Sequence, residues 1–359
     1  MLIRLLLAFA LFLGAPAALA AQQRDASPGL WTRDQDRITF TTARISFPLR
    51  AGAVGFSRSA ELSHHGEGID NALQYVARDE QVFATVYIYL PGLAHAGFTA
   101  FMTDHVIGVQ SGNDLSRSGS RIVAAGGREG VAIRSDYAGF RPERLASSAA
   151  FIKVGRWILK LRVSGPQSRR AEVEAVMSAL LDGVRFEGDL QPRAAAQLQI
   201  DDCQSAPSAA RALPGNAANL IELALVAAFD GAGEEARHQN GTREEALPGR
   251  VGARWCRSAR ARLGNAAYSI LRAAPGESGD GLGGRSVLIV PINDAGTSFE
   301  LVELTKTGQP SRFVGFYHEI GRTSVLGAYD GPLSDEQVAA ILTGSDREGG
   351  QIRTSVRLL

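Results

Sequence analysis

The ten residues Gln81-Val82-Phe83-Ala84-Thr85-Val86-Tyr87-Ile88-Tyr89-Leu90 alternate so regularly that few conformations can hold them. In a β-strand successive side chains point to opposite faces. Val82, Ala84, Val86 and Ile88 therefore share one face, which is small, aliphatic and fit for a core. Phe83, Thr85, Tyr87 and Tyr89 share the other. A helix would scatter both sets. The preceding NALQYVA segment is a second strand, and residues 78–81 (Arg-Asp-Glu-Gln) form the turn between them.

The same period recurs in most of the chain. DRITFTTARISFP and VGFSRSAELS read as strands, and RIVAA and EGVAIRSDYAGF are strands around a Gly126-Gly127 turn. LASSAAFIKVGRWILKLRVSGP is the clearest strand pair. Farther on, SVLIVPI and SFELVEL predict a hairpin across residues 293–297. SRFVGFYHEIGRTSVLGAYDG predicts two more strands, and QIRTSVRLL closes the chain as another. Pro291 cannot donate a ladder hydrogen bond, which places its strand at an edge or a bulge.

Helical spacing breaks in at few places. AGFTAFMTDHVIGVQ sets Phe98, Phe101, Met102, His105 and Val109 on one face. SRRAEVEAVMSALLDGVRF sets out Val173, Val176, Met177, Leu180, Leu181 and Val184, with Ser168 as the expected N-cap and Glu172 and Glu174 near the positive end. NAANLIELALVAAF reads as a buried helix. SDEQVAAILTG is a short helix with a Ser334/Gln337 capping box and Gly344 as terminator. The fold class expected from this pattern is α+β: two domains, each a mainly antiparallel sheet packed with a few helices. A division into residues 37–187, a Pro192-containing linker at 188–202, and residues 203–359 suits the usual length of about 150 residues per domain.

The first 20 residues have a different purpose. Arg4 supplies a positive start, residues 5–13 are apolar, Gly14 and Pro16 interrupt the run, and Ala18-Leu19-Ala20 fits the small-x-small cleavage rule. A signal peptide cleaved before Ala21 is the expectation, because the run breaks before the roughly 20 residues that span a bilayer. No second long apolar run follows, so no transmembrane segment is expected after cleavage. The formal net charge is +1 with Arg4 included. That balance excludes a nucleic-acid surface, which needs a concentrated basic excess. Enrichment in Ala, Gly and Arg suggests a GC-rich bacterial source. The expected location is then the periplasm, with the extracellular side as the alternative.

The chain has two cysteines, Cys203 and Cys256. In an oxidising compartment an isolated pair reads as a disulfide. Neither has a histidine at zinc-ligand spacing. Closing that loop restricts the unfolded chain by about 4 kcal/mol. Its loss should weaken the second domain and leave the first nearly unchanged.

Residues 37–187, with VYIYLPG and KVGRWILKLRV among their strands and an amphipathic helix at their end, resemble the PsbP/Mog1-type α/β/α sandwich and uncharacterised exported proteobacterial proteins with similar strands. Members of that fold are mostly binding or accessory proteins, so the resemblance implies a non-enzymatic role.

The chemically suggestive motifs have plainer readings. SHHGEG places His64, His65 and Glu67 together, but adjacent strand residues point apart and no ligand spacing is matched, so it reads as a solvated hairpin loop. His105 beside Asp104 could act as a general base, though a packed core histidine is commoner. His318-Glu319 lacks the second histidine of a zinc-protease helix. Gly279, Gly281 and Gly284 spell G-x-G-x-x-G, but a strand follows where a dinucleotide site needs a helix. No cofactor and no metal site is expected. In KVGRWILKLRV, Trp157, Leu159, Leu161 and Val163 face one way and Arg156, Ile158, Lys160 and Arg162 the other. The cationic row reads first as the wet side of an antiparallel sheet. Arg156, Lys160 and Arg162 are also the candidates for holding an anionic ligand or a partner.

The sequence thus favours a non-catalytic periplasmic binding or envelope accessory protein of unknown ligand or envelope partner. The alternatives are an envelope hydrolase with a site assembled only in the fold, marked by His105 or His318 set against an acid, and a structural interaction module.

Overall fold

The computed structural model describes residues 24–25, 29–63, 68–111, 116–140, 145–188, 190–204, 207–213, 254–263, 266–274, 285–304, 310–344 and 354–357. The expected signal segment, His64 to Glu67 of the SHHGEG motif, the helix expected at 216–229, the polar stretch at 230–248 and the glycine motif at 279–284 lie outside them.

In chain order the elements begin with β1 (Arg24–Asp25), β2 (Trp31–Arg33), β3 (Arg37–Phe40), β4 (Ile45–Pro48), β5 (Arg50–Ala51), β6 (Val54–Glu61), β7 (Asp70–Ala77) and β8 (Phe83–Tyr89). Next come α1 (Ala96–Ser111), β9 (Ser116–Ala125), β10 (Arg128–Phe140), β11 (Leu145–Val154), β12 (Trp157–Pro166), α2 (Arg170–Gly183) and β13 (Arg185–Phe186). The rest are β14 (Gln199–Asp202), β15 (Arg254–Leu263), β16 (Ala266–Ala273), β17 (Arg285–Pro291), β18 (Ser298–Leu304), β19 (Arg312–Glu319), β20 (Arg322–Tyr329), α3 (Asp335–Thr343) and β21 (Thr354–Arg357).

They form three sheets. The first runs β1-β6-β7-β8-β12-β11-β10-β9, with β5 also on β6; the second runs β13-β4-β3-β2; the third runs β14 to β21 in sequence order. Every pairing is antiparallel except β14 with β15. The expectation of an α+β fold is overturned. Strand takes 55% of the described residues and helix 17%, in three short helices, so the fold is β-rich. Period-two alternation dominates the chain, and helical stripes are too few to build a layer of their own.

The first sheet has two covered faces. Val82, Ala84, Val86 and Ile88 join Leu73, Leu159 and Leu161 in a core closed by Val173, Val176, Met177, Leu180 and Leu181 of α2. Each side chain of this kind contributes about 1.5–3 kcal/mol when fully buried. Ser168 does not cap α2: a 3₁₀ turn at Gln167–Arg169 precedes it, and the cap position is Arg169, without a side-chain cap. Arg169 pairs instead with Asp79 and with Glu172 in the first turn. The capping box and glycine terminator of α3 form as expected.

On the opposite face lies α1. Ala96, Ala100 and Ile107 pack with Ile133, Tyr137, Ala149, Phe151 and Ile158 of the first sheet. Phe98 and Phe101 turn the other way, toward Trp255, Leu271 and Ile289 of the third sheet. The far face of that sheet is covered by Val338 of α3 over Tyr268, Leu288, Phe299 and Leu301. Helix α1 is therefore filling between two sheets, which explains why apolar residues ring it.

Pro291, expected at an edge or a bulge, lies on β17, an interior strand between β16 and β18 whose pairing with β18 shifts register between Ser286 and Leu288. Pro291 is tolerated because it ends the strand, beyond the two residue pairs that β17 makes with β16. Residues 190–202, within the expected linker, are held by hydrogen bonds. Arg193 N donates to Lys153 O and Ala195 N to Gly130 O before the segment enters the sheet as β14. The Cys203–Cys256 disulfide is present. Among the described residues no helix is long and apolar enough to cross a membrane.

Candidate functional site

The cationic face of β12 meets the tip of the β17–β18 hairpin. Register fixes the first half of the arrangement: Lys160 lies opposite Tyr87 and Arg162 opposite Thr85. The hairpin loop is shaped by Asn293, whose Oδ1 accepts from Ala295 N and Thr297 N at 3.0 Å each. This turn presents Asp294 to the sheet. Lys160 Nζ donates to Asp294 Oδ2, Thr103 Oγ1 of α1 donates to the same oxygen at 3.4 Å, and Tyr89 Oη donates to the Asp294 carbonyl at 3.2 Å. Lys160 is 7% exposed, with its ammonium 5.7 Å from the Tyr87 ring centre. The wet sheet face expected from alternation is thus a buried joint.

The electrostatics follow from that burial. Desolvation lowers the Lys160 pKa, and Asp294 opposes the effect. Burial alone would raise Asp294, but the Lys160 ammonium reverses the sign and holds its carboxyl below the ordinary range. Desolvation also pushes the Tyr87 phenol up to about 12, against the pull of Arg162. Of the three cations predicted as ligand candidates, Lys160 and Arg162 are close enough to influence one another. Arg156 sits in the β11–β12 turn, before the strand that carries the other two.

A second polar assembly faces α1 and the β8 exit loop from the third sheet. Glu300, His318 and Thr323 stand on adjacent strands, with Ser286 one strand farther. His318 Nε2 is 2.8 Å from Glu300 Oε2, and its Nδ1 is 3.0 Å from Thr323 Oγ1. Ser286 donates to the other Glu300 oxygen. A carboxylate only accepts, so Nε2 carries the hydrogen of the Glu300 contact. This order of hydroxyl, imidazole and acid is the relay a nucleophilic hydrolase uses. Its access is the obstacle. His318 is 2% exposed and Glu300 is fully buried. Gly92 lies directly on the relay: a Cβ there would come within 2.6 Å of Thr323 Oγ1 and 2.8 Å of His318 Nδ1.

The loop carrying Gly92 is itself part of the joint. Gly92 N donates to Glu319 O at 2.9 Å, Gly321 N donates to Leu90 O at 2.7 Å, and Pro91 bridges Ile320. Gly321 has φ +67°, and a side chain there would strike Ile69. Both glycines let two backbones touch.

The remaining predicted residues are elsewhere. His105 is half-buried on α1, and the carboxylate of its neighbour Asp104 accepts the Tyr137 hydroxyl. His95, not singled out by the sequence, precedes α1 and accepts from Phe98 N at 3.2 Å through Nδ1; desolvation lowers its pKa to about 3. Asp70 is pushed up to about 7 by burial and by the nearby Glu61 carboxylate. Sequence reasoning also missed Asp294, Glu300 and Thr323. The usable signal was Glu300, an acid inside an otherwise apolar strand that precedes a histidine-bearing one.

Among the described residues no group of three or more His, Cys, Asp or Glu side chains is arranged to hold a metal ion. No family model matches the chain, and comparison with curated proteins and with solved structures finds no match.

Proposed function

We propose that this chain is an exported, non-catalytic binding or accessory protein of the bacterial envelope, acting in the periplasm. The observation that carries the non-catalytic part is the joint. Among the described residues, the two buried acid–base assemblies are engaged internally: Lys160 with Asp294, and His318 between Glu300 and Thr323 beneath Gly92. Export is supported by the N-terminal pattern ending at Ala18-Leu19-Ala20 and by a disulfide suited to an oxidising compartment. The strand-pattern likeness of residues 37–187 to PsbP/Mog1-type proteins points the same way. The test is cross-linking and copurification of the mature chain from its native envelope. A periplasmic form beginning at Ala21 with a stoichiometric protein or small-molecule companion supports the reading, and a cytoplasmic form still beginning at Met1 contradicts it.

One observation favours a second reading, an envelope hydrolase: the Glu300–His318–Thr323 relay. There Thr323 would be the nucleophile, His318 its base and Glu300 the group that orients the ring, once Gly92 moved aside. Covalent labelling of Thr323 by a hydroxyl-directed phosphonate, lost in His318→Ala, would favour it over the binding role.

A further inference from the structure

The disulfide ties the edge of the third sheet whose Trp255 face meets helix α1, with Cys256 itself on the opposite face. Strand β14 is four residues long and, among the described residues, pairs only with β15, in parallel, with Ile200 opposite Trp255 and Asp201 opposite Cys256. Cys203 N extends the ladder by donating to Arg257 O at 3.0 Å. The two cysteines are separated by 53 positions. Chain connectivity over that distance does little to hold a four-residue parallel pair, since loop closure loses more entropy as loops lengthen. The disulfide joins Cys203, one residue beyond the last paired position of β14, to Cys256 inside the paired stretch of β15.

The short pair carries one part of the contact between the two halves of the molecule, beside Leu271 and Ile289. Leu198, Ile200 and Trp255 pack with Phe98 and Phe101 of α1. The Phe98 and Trp255 rings meet edge to face, with centres 5.3 Å apart. The segment leading into β14 also leans on the helix: a Cβ on Gly97 would lie 2.9 Å from Ala196 O and 3.1 Å from Leu198 Cγ. Both cysteines are only half-buried.

We infer that the Cys203–Cys256 disulfide is a redox-set clasp on the contact between α1 and the third sheet. Oxidised, it holds Ile200 and Trp255 against Phe98 and Phe101. Reduced, β14 leaves β15 and α1 loses packing on that side. The reductant is a dithiol. One of its thiolates attacks a cysteine sulfur, forming a mixed disulfide and releasing the other cysteine as thiolate; its second thiol then resolves that intermediate. Two electrons and two protons pass to the cysteines, and the reagent leaves as a disulfide. The Lys160–Asp294 pair and the backbone bonds at Gly92 and Gly321 stay in place, so the joint opens at one end only. This inference stands apart from the proposed envelope role and does not depend on it.

Hydrogen exchange on the full mature chain tests it, comparing the oxidised protein, the same protein under dithiothreitol in native buffer, and Cys203→Ser/Cys256→Ser. Amides of α1 should exchange at least about tenfold faster without the disulfide, while those of α2 stay within about twofold. Agreement between the reduced protein and the double variant excludes an effect of the reagent. Unchanged exchange in α1 overturns the clasp. So does simultaneous loss of protection in α1 and α2, which would make the bond a staple for the whole chain.

Discussion

The Lys160–Asp294 pair and the Glu300–His318–Thr323 ladder are both buried acid–base assemblies in one joint, yet they are made differently. Within the ladder, His318 is 18 positions from Glu300 and 5 from Thr323, on neighbouring strands. Lys160 and Asp294 are 134 positions apart and belong to different sheets. Cross-strand neighbours meet because register places them there. The pair meets only when the halves dock. Polar groups in the ladder therefore stabilise one sheet, whereas those in the pair specify how two sheets face each other.

The largest effect that sharpens this contrast should come from Glu300→Ala. It leaves His318 and Ser286 buried with a partner missing, at a cost of about 3 kcal/mol. A chemical-denaturation midpoint measures it, and Glu300→Gln should recover most of the loss because the amide still accepts. Equal damage from both variants would mean that charge, not hydrogen bonding, holds the ladder.

Asp294→Ala should cost less, about 2 kcal/mol, because Lys160 can shed its proton when its partner is removed. Replacing both residues, with Lys160→Met, should restore much of that stability, since a buried ion pair often gains little over an apolar one. Proteolysis should find the joint loosened in the single variant and the individual sheets intact. A double variant no better than Asp294→Ala would show the pair to be net stabilising.

The smallest effects should be slopes with pH. His95 has a folded pKa of about 3, below its ordinary 6.5. Between those values the unfolded chain binds a proton that the folded chain refuses, so stability falls as pH falls. Asp70, raised from 3.8 to about 7, works in reverse. The folded chain keeps a proton there that the unfolded chain releases, so stability falls as pH rises through that window. Melting temperatures at about pH 4.5 and pH 7.5 separate the two. His95→Asn, which still accepts from Phe98 N, should flatten the loss on the acid side. Asp70→Asn should raise stability at the higher pH. No change in either variant would place both groups in water.

Much of the fold was legible because period and turn chemistry are local. Val82 to Ile88, the 78–81 turn, Gly126-Gly127 and the Ser334/Gln337 capping box all occupy the places their neighbours dictate. Fold class departs from expectation because the strong helical stripes are few and short, and the many alternating segments pair into three sheets. Ser168 lost its cap role to a 3₁₀ turn that no side-chain preference announced. The candidate site was half legible: Lys160 and Arg162 were picked out by their spacing, but their surroundings were not.

The sequence by itself determined which residues alternate, where the chain turns, and which two cysteines were available to join. Those depend on backbone geometry within a few residues, or on there being a single pairing to choose. Only the tertiary structure decided that Lys160 on the cationic face of β12 is buried, that α1 lies between two sheets, and that Asp294 meets Lys160. An amphipathic strand specifies that its second face suits polar company, but water and a docked carboxylate satisfy a lysine alike. The choice between them is made by the packing of residues more than a hundred positions away.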